Sequence, residues 1–187
     1  MWVAVIMAIL LSLGGYYAMV GQRSLIVENQ AVVTTLATAM DQYRQAAITH
    51  CATAPADCAN PGTLALSSGD FPFGAPSAKL NGQWANYADS AGKIYIFPAK
   101  WPLQENSQAI DVDIVEGMAE LARNSMTAGH AVADGAGNLY LSVPTDVTNP
   151  AAPDFNAGAA FYTALQDPVT KKNVPGIVAG MPVWLAQ

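Results

Sequence analysis

The sequence predicts an α+β protein in which an N-terminal transmembrane helix continues into a stem helix, and the stem carries a small α+β head containing antiparallel hairpins. Three observations predict it. The first twenty residues, MWVAVIMAILLSLGGYYAMV, hold no Asp, Glu, Lys, Arg or His. The stretch that follows repeats apolar residues at helical spacing without Pro or Gly. Farther along, Ala88–Ile96 and Ala133–Leu141 share the pattern A-D-x-A-G-x-[IL]-Y-[IL], a turn followed by a strand. The predicted organisation is an anchor over 1–22, a stem over 23–50 and a head over 51–187.

The anchor comes first. Hydrophobic residues make up 52% of the 187-residue chain and charged residues 12%, about half the usual charged share, and the apolar excess is concentrated at the front. A helix of twenty residues measures roughly 30 Å, the thickness of the hydrocarbon core of a bilayer. Leu11 falls at the middle of the run, and Trp2, Tyr16 and Tyr17 fall near its ends, where aromatic belts form. A cleaved signal peptide wants a basic start and a small residue at the cut; here the first basic residue is Arg23, and the best cut follows the β-branched Val20. An uncleaved single-pass anchor is therefore the expectation.

Beyond Arg23 seven Lys and Arg face fourteen acidic residues, so the rest of the chain is strongly acidic. No basic face exists to displace counterions from nucleic acid, and no polybasic segment exists to hold anionic lipid. Cys51 and Cys58, seven apart in HCATAPADCAN, are expected to close a small disulfide loop, which favours an oxidising compartment. Arg23 beside the anchor prefers the cytoplasmic side, but long domains translocate largely regardless of charge. The expected topology is N-terminus inside and head in the periplasm, at a bacterial inner membrane.

The stem starts at Ser24, a suitable N-cap, and runs from Leu25 to about Ile48. Leu25, Val32, Leu36, Ala39, Met40, Tyr43 and Ala47 form one apolar stripe, with Asn29 its polar exception. From Thr49 to Gln83 the chain is rich in Ala, Pro, Gly and Ser, with FPFGAP at 71–76, and reads as loop or short irregular elements. Gly92 and Gly137 suit positive φ in the two hairpin turns, with Trp84–Ala88 and Ala131–Ala133 as partner arms. A second helix is expected over Asp113–Met126, with Ile114, Val115, Met118, Leu121 and Ala122 on its apolar stripe and Gly129 as its stop. Pro144, Pro150 and Pro153 mark a surface excursion, Ala157–Leu165 reads as a short helix, and Met181–Leu185 closes the chain as a strand.

Signals for chemistry are weak. His50 and His130 have no metal-ligand spacing, and His50 suits a helix end. Asp111 and Asp113 lack the further ligands of a calcium loop, and Asp134–Asn138 lacks the Gly-Lys-Ser/Thr of a phosphate loop. No nucleophile elbow or triad stands out, so neither an enzyme nor a cofactor nor a small-molecule substrate is expected; a membrane-tethered periplasmic enzyme is the disfavoured reading. Trp84, Trp101 and Trp184 are candidates for partner contact, against the plainer expectation that they fill a core.

The order of parts carries a resemblance. An apolar helix leads into a stem ending in Tyr43-Arg44-Gln45-Ala46-Ala47, then comes Gly92-Lys93-Ile94-Tyr95-Ile96. Gly117–Leu121, Asn124-Ser125, Ala128-Gly129, Gly137–Leu139 and Met181–Leu185 follow. This arrangement resembles the PilM proteins of conjugative-plasmid type IVb thin-pilus systems. The resemblance implies a non-enzymatic inner-membrane component of a pilus assembly apparatus, with other assembly proteins, pilins or further copies of itself as partners. The Cys51–Cys58 loop and the Pro-rich 145–170 region look like additions to that pattern. A minor type IV pilin is the alternative, although such a pilin would carry Glu where this chain has Val5.

Overall fold

The computed structural model describes residues 30–105, 108–109, 113–123, 127–142 and 163–186. The first helix, α1, occupies 30–53 of the described residues. Leu36, Ala37, Met40, Tyr43, Ala46 and Ala47 are buried along it, a spacing that keeps to one side of a 3.6-residue helix. The expected stripe is thus present from Leu36 onward, while Leu25 and Asn29 lie outside the described residues. The helix also continues past Ile48 through His50 and Cys51, because nothing before Ala54 breaks it.

Two short helices follow in the stretch expected to be loop or short irregular elements. Helix α2 (Pro55–Cys58) begins with Pro at its first turn, and α3 (Ser77–Gln83) begins directly after Pro76. Pro lacks the N–H that a first helical turn leaves unpaired anyway, so these prolines start helices and do not merely interrupt structure.

The main sheet is antiparallel and has six strands among the described residues. In chain order the strands are β1 (Trp84–Ala88), β2 (Ile94–Pro98), β3 (Gln104–Glu105), β4 (Gln108–Ala109), β5 (Ala128–Ala133), β6 (Leu139–Ser142), β7 (Thr163–Ala164) and β8 (Pro182–Ala186). The spatial order is β1-β2-β8-β5-β6-β7, with β3 and β4 forming a separate small hairpin. Both expected hairpins are present: Tyr87 faces Tyr95 in the first, and Val132 faces Tyr140 in the second. The closing strand inserts between them, pairing Ile96 with Trp184 on one side and Ala128 with Trp184 on the other.

Every residue of β8 is buried, which requires both faces of the sheet to be covered. On one face Trp84, Ile94, Ile96, Ala128 and Trp184 pack with α1, α3 and the helix α4 (Val115–Leu121). On the other, Tyr95, Phe97, Leu139, Leu141, Val183 and Leu185 are roofed by Leu165, Val174, Ile177 and Met181. The stem helix is therefore a core element of the head: its buried stripe belongs to the same cluster as the sheet, so the hydrophobic core crosses the boundary expected after residue 50.

Helix α4 is shorter than expected. It ends at Leu121, and Arg123 takes a left-handed φ of 53° just beyond it, while Gly129, the expected stop, lies inside β5. Leu121 is exposed, and Ala119 is buried in its place, because α4 turns its Ala119 side toward the core. Gly117 explains how closely α4 meets α1: a Cβ there would lie 3.0 Å from Val33 Cγ1 and 3.2 Å from Ala37 Cβ. The expected short helix at 157–165 is corrected at its described end, where Thr163 and Ala164 form β7 against Leu141 and Tyr140. The Pro-rich excursion lies outside the described residues.

Asn86, buried in β1, joins the layers. Its amide nitrogen donates to the Tyr43 hydroxyl at 2.8 Å and to the Leu64 carbonyl at 3.1 Å, and its carbonyl oxygen accepts from the Leu64 N–H at 2.6 Å. Replacing it with Leu leaves three buried polar groups without these partners, each costing about 1–3 kcal/mol. Asn86→Leu is expected to lower unfolding free energy by about 3 kcal/mol or more in urea titrations, and Tyr43→Phe in that background is expected to cost less than Tyr43→Phe alone.

Candidate docking surface

A groove of about 490 Å³ lies between α1 and α3. Its α1 wall combines the small residues Ala31, Thr35 and Ala39 with Val32, Leu36 and Gln42, and its α3 wall is made by Pro76, Leu80 and Gln83. Small side chains on one side of α1 leave the channel that α3 does not fill. The Thr35 hydroxyl donates to the Ala31 carbonyl at 2.7 Å, so its polar atom is satisfied within the helix. Lys79 is the charged residue at the rim.

At the opposite end of α1 a polar cluster closes the helix. Cys51 and Cys58 are disulfide-bonded, with Cα atoms 5.6 Å apart, as expected from their spacing. The bridge folds α2 back against the end of α1. His50 Nδ1 lies 3.2 Å from Asp70 Oδ2, and its Nε2 lies 3.3 Å from Asp57 Oδ2. Asp70 also accepts from the Ser67 N–H at 2.7 Å and the Ser67 hydroxyl at 2.8 Å. Burial pushes the Asp70 carboxyl up, but the Ser67 bonds and His50 outweigh it and hold the group below the ordinary carboxylate range. The other histidine makes a similar bridge: His130 Nε2 lies 3.0 Å from Asp113, whose carboxyl is lowered chiefly by that bond. Asp113 Oδ1 accepts the Val115 N–H at 2.9 Å, which fits the expected acidic helix start; Asp111 lies outside the described residues.

A smaller cavity of about 270 Å³ on the other face is lined by Asp89, Lys93, Tyr95, Asp167 and Lys171. Its carboxylates are committed to turns. Asp89 accepts the Ala91 and Lys93 N–H groups, each at 2.9 Å, and the Tyr95 hydroxyl at 2.9 Å. Asp134 does the same with the Ala136 and Asn138 N–H groups at 2.9 and 2.8 Å, and Tyr140 also hydrogen-bonds it. The shared sequence pattern is thus one turn built twice, closed each time by a Gly at positive φ, Gly92 at 76° and Gly137 at 84°. Burial, reinforced by Asp89, raises the Tyr95 hydroxyl far above its usual range. Asp167 accepts from the Thr170 and Val169 N–H groups and, across the fold, from the Ser90 N–H at 2.9 Å. These amides, Thr170 first, drive its carboxyl far down.

Of the tryptophans expected to meet a partner, two are withdrawn from the surface. Trp84 and Trp184 are each 1% exposed because their strands face α1, and the Arg44 guanidinium sits 5.0 Å above the Trp184 ring. Trp101 is 40% exposed, and Phe73 of the FPFGAP segment is wholly exposed. Nothing in the local sequence distinguishes Phe73 from its neighbour Phe71, which is buried 5.9 Å from the Tyr43 ring. The expected anchor residues Trp2, Leu11, Tyr16 and Tyr17 lie outside the described residues. Among the described residues no helix is long and apolar enough to cross a membrane, and no cluster of potential metal ligands occurs.

The family model described as PilM matches residues 7–185, nearly the whole chain. The chain belongs to the PilM family. No curated protein matches it, and neither does any solved structure. The match spans α1, the disulfide loop and every strand of the sheet, so the groove and the cysteine-bridged end both belong to this PilM chain.

Closing an eight-residue loop is worth about 2–3 kcal/mol in the chain-entropy treatment. Cys51→Ser with Cys58→Ser is expected to lower stability by about that much, and dithiothreitol should lower the melting temperature of the parent but not of the double variant. Because the Asp70 carboxyl is lowered in the folded protein, its contribution is present above the unfolded pKa and is lost as pH falls through the folded value. Acid titration of stability is expected to show a shallower loss below about pH 4 for Asp70→Asn than for the parent.

Proposed function

We propose that this PilM protein is a non-enzymatic, inner-membrane component of a type IV pilus assembly apparatus of the type IVb, conjugative-plasmid kind. Residues 1–22 anchor it, the head lies in the periplasm, and it works through protein contacts. The family match over residues 7–185 carries this reading, since it takes in both the apolar start and the head. The Cys51–Cys58 bridge supports an oxidising compartment for the head. The apolar groove beside α1 offers a surface for a protein partner.

A minor pilin is the second reading, and one observation favours it: the described part of α1 lays its buried stripe on an antiparallel sheet, as the second half of a pilin stem does. The two separate by fractionation. An assembly component stays with the inner membrane when filaments are sheared away, and a pilin appears with the filaments. An alkaline phosphatase fused to the C-terminus is expected to be active; an inactive fusion of normal abundance would contradict the periplasmic head.

A further inference from the structure

The disulfide and a histidine share the end of α1. His50 directly precedes Cys51 and Asp57 directly precedes Cys58, so the bridge brings the imidazole and that carboxylate together. The ring is held from both sides: Nδ1 lies 3.2 Å from Asp70 Oδ2, and Nε2 lies 3.3 Å from Asp57 Oδ2. Among the described residues these are the charged groups that meet it, Asp57 from α2 and Asp70 from the turn at 67–70, while on its own helix Arg44 pairs with Asp41. An ionised carboxylate only accepts hydrogen bonds, so both contacts are hydrogen bonds when the imidazole carries two N–H groups. A neutral imidazole carries one N–H, sets a lone pair against the other carboxylate and must release it.

The two acids are held unequally. The Asp70 side chain is 10% exposed and fixed by Ser67, whereas that of Asp57 is 62% exposed and meets His50. Asp57 is therefore the one released. It stands on the four-residue α2, whose N-cap Ala54 supplies no side-chain hydrogen bond. Cys58 is buried and Cys51 half-buried. In exchange with a dithiol, a thiolate attacks Cys51 Sγ, the Cys58 thiolate leaves, and the dithiol's second thiol then displaces Cys51. The dithiol becomes a disulfide, and its two electrons and two protons end on Cys51 and Cys58 as thiols. The buried Cys58 sulfur departs only as residues 54–58 swing outward, and that movement separates Asp57 from His50. We propose that His50 is a proton-operated latch on the Cys51–Cys58 bridge: protonated, it holds α2 down and slows reduction of the bridge; neutral, it lets α2 lift and the bridge open. Histidine changes charge between about pH 5 and 8, a range in which carboxylates are ordinarily ionised, so the latch closes in mild acid. The device concerns the chemistry of the bridge, and it stands apart from the compartment and apparatus proposed above.

Reduction kinetics of the full chain in detergent micelles test it. The reductant is a water-soluble phosphine, which attacks the same sulfur and still reduces disulfides in acid, and free thiols are counted by mass spectrometry after an acid quench. Rates are compared between variants at one pH, so the reductant's own pH dependence cancels. Asp57→Asn keeps the size of an exposed side chain and removes its charge. At about pH 5 this variant is expected to be reduced about two- to five-fold faster than the parent, the worth of a solvent-exposed ion pair, and at about pH 8.5 the two rates are expected to converge. In a His50→Gln background, Asp57→Asn is expected to leave the rate unchanged at both pH values. An Asp57→Asn effect of equal size at both pH values overturns the proposal, because it marks a structural contact without proton control. So does an effect that persists in His50→Gln, and so does the absence of any effect at about pH 5.

Discussion

Asn86 makes one amide group serve three parts of the chain at once: the edge strand that carries it, the helix that carries Tyr43 and the segment that carries Leu64. Apolar packing alone holds a helix to a sheet without fixing its position, because a stripe of Leu, Ala and Met can slide or rotate at small cost. A buried hydrogen bond does not permit that freedom, since a shift of about an ångström leaves a donor or acceptor unpaired in a medium where that is expensive. The register of α1 on the sheet therefore depends on this contact. The positions of the α1–α3 groove and of the cysteine-bridged end follow from that register, because both are made partly of α1.

The second face of the sheet uses a different economy. Here a long segment without a helix covers Tyr95, Phe97 and Val183, and its backbone groups need partners of their own. Asp167 supplies several of these by gathering Val169 and Thr170 N–H groups, while its other oxygen accepts from Ser90 in the first hairpin turn. That turn is organised in the same way by Asp89, and the second hairpin by Asp134. Three aspartates thus act as turn centres, and part of the chain's acidity is consumed in building the fold. The carboxylates left on the surface determine what the head can approach.

Legibility in the sequence followed the range of the interactions. The α1 stripe and both hairpins were readable because helical periodicity and an Asp-to-Gly turn are local properties, and the matching hydrogen bonds of Asp89 and Asp134 explain why the two segments look alike. The insertion of β8 between the hairpins was not readable, since no local pattern tells a closing strand which edges it will join. Pro55 and Pro76 lie in a stretch whose composition suggests loop or short irregular elements, yet they open helices, because proline is compatible with both and only the following residues decide. Arg123 ended α4 in a conformation usually given to Gly, which concealed the stop. The cysteine pair was legible from spacing; the groove was not, because it arises where two helices distant in sequence fail to fill the space between them.

The small residues of α1 connect these points. On its buried side Ala37, Ala46 and Ala47 allow the helix to approach the sheet closely, and Val33 and Ala37 meet α4 at Gly117 with no room for a larger residue. On the neighbouring side Ala31, Thr35 and Ala39 keep the same slender profile, but no element of the described head fills the space above them. Close packing on one side and an open channel on the other thus come from one choice of side-chain size along a single helix. Larger residues at the exposed positions 31 and 35 would narrow the channel without touching the core, whereas Ala39 packs against the core and ties the two sides together. One helix thus serves both as part of the core of the head and as a wall of the groove.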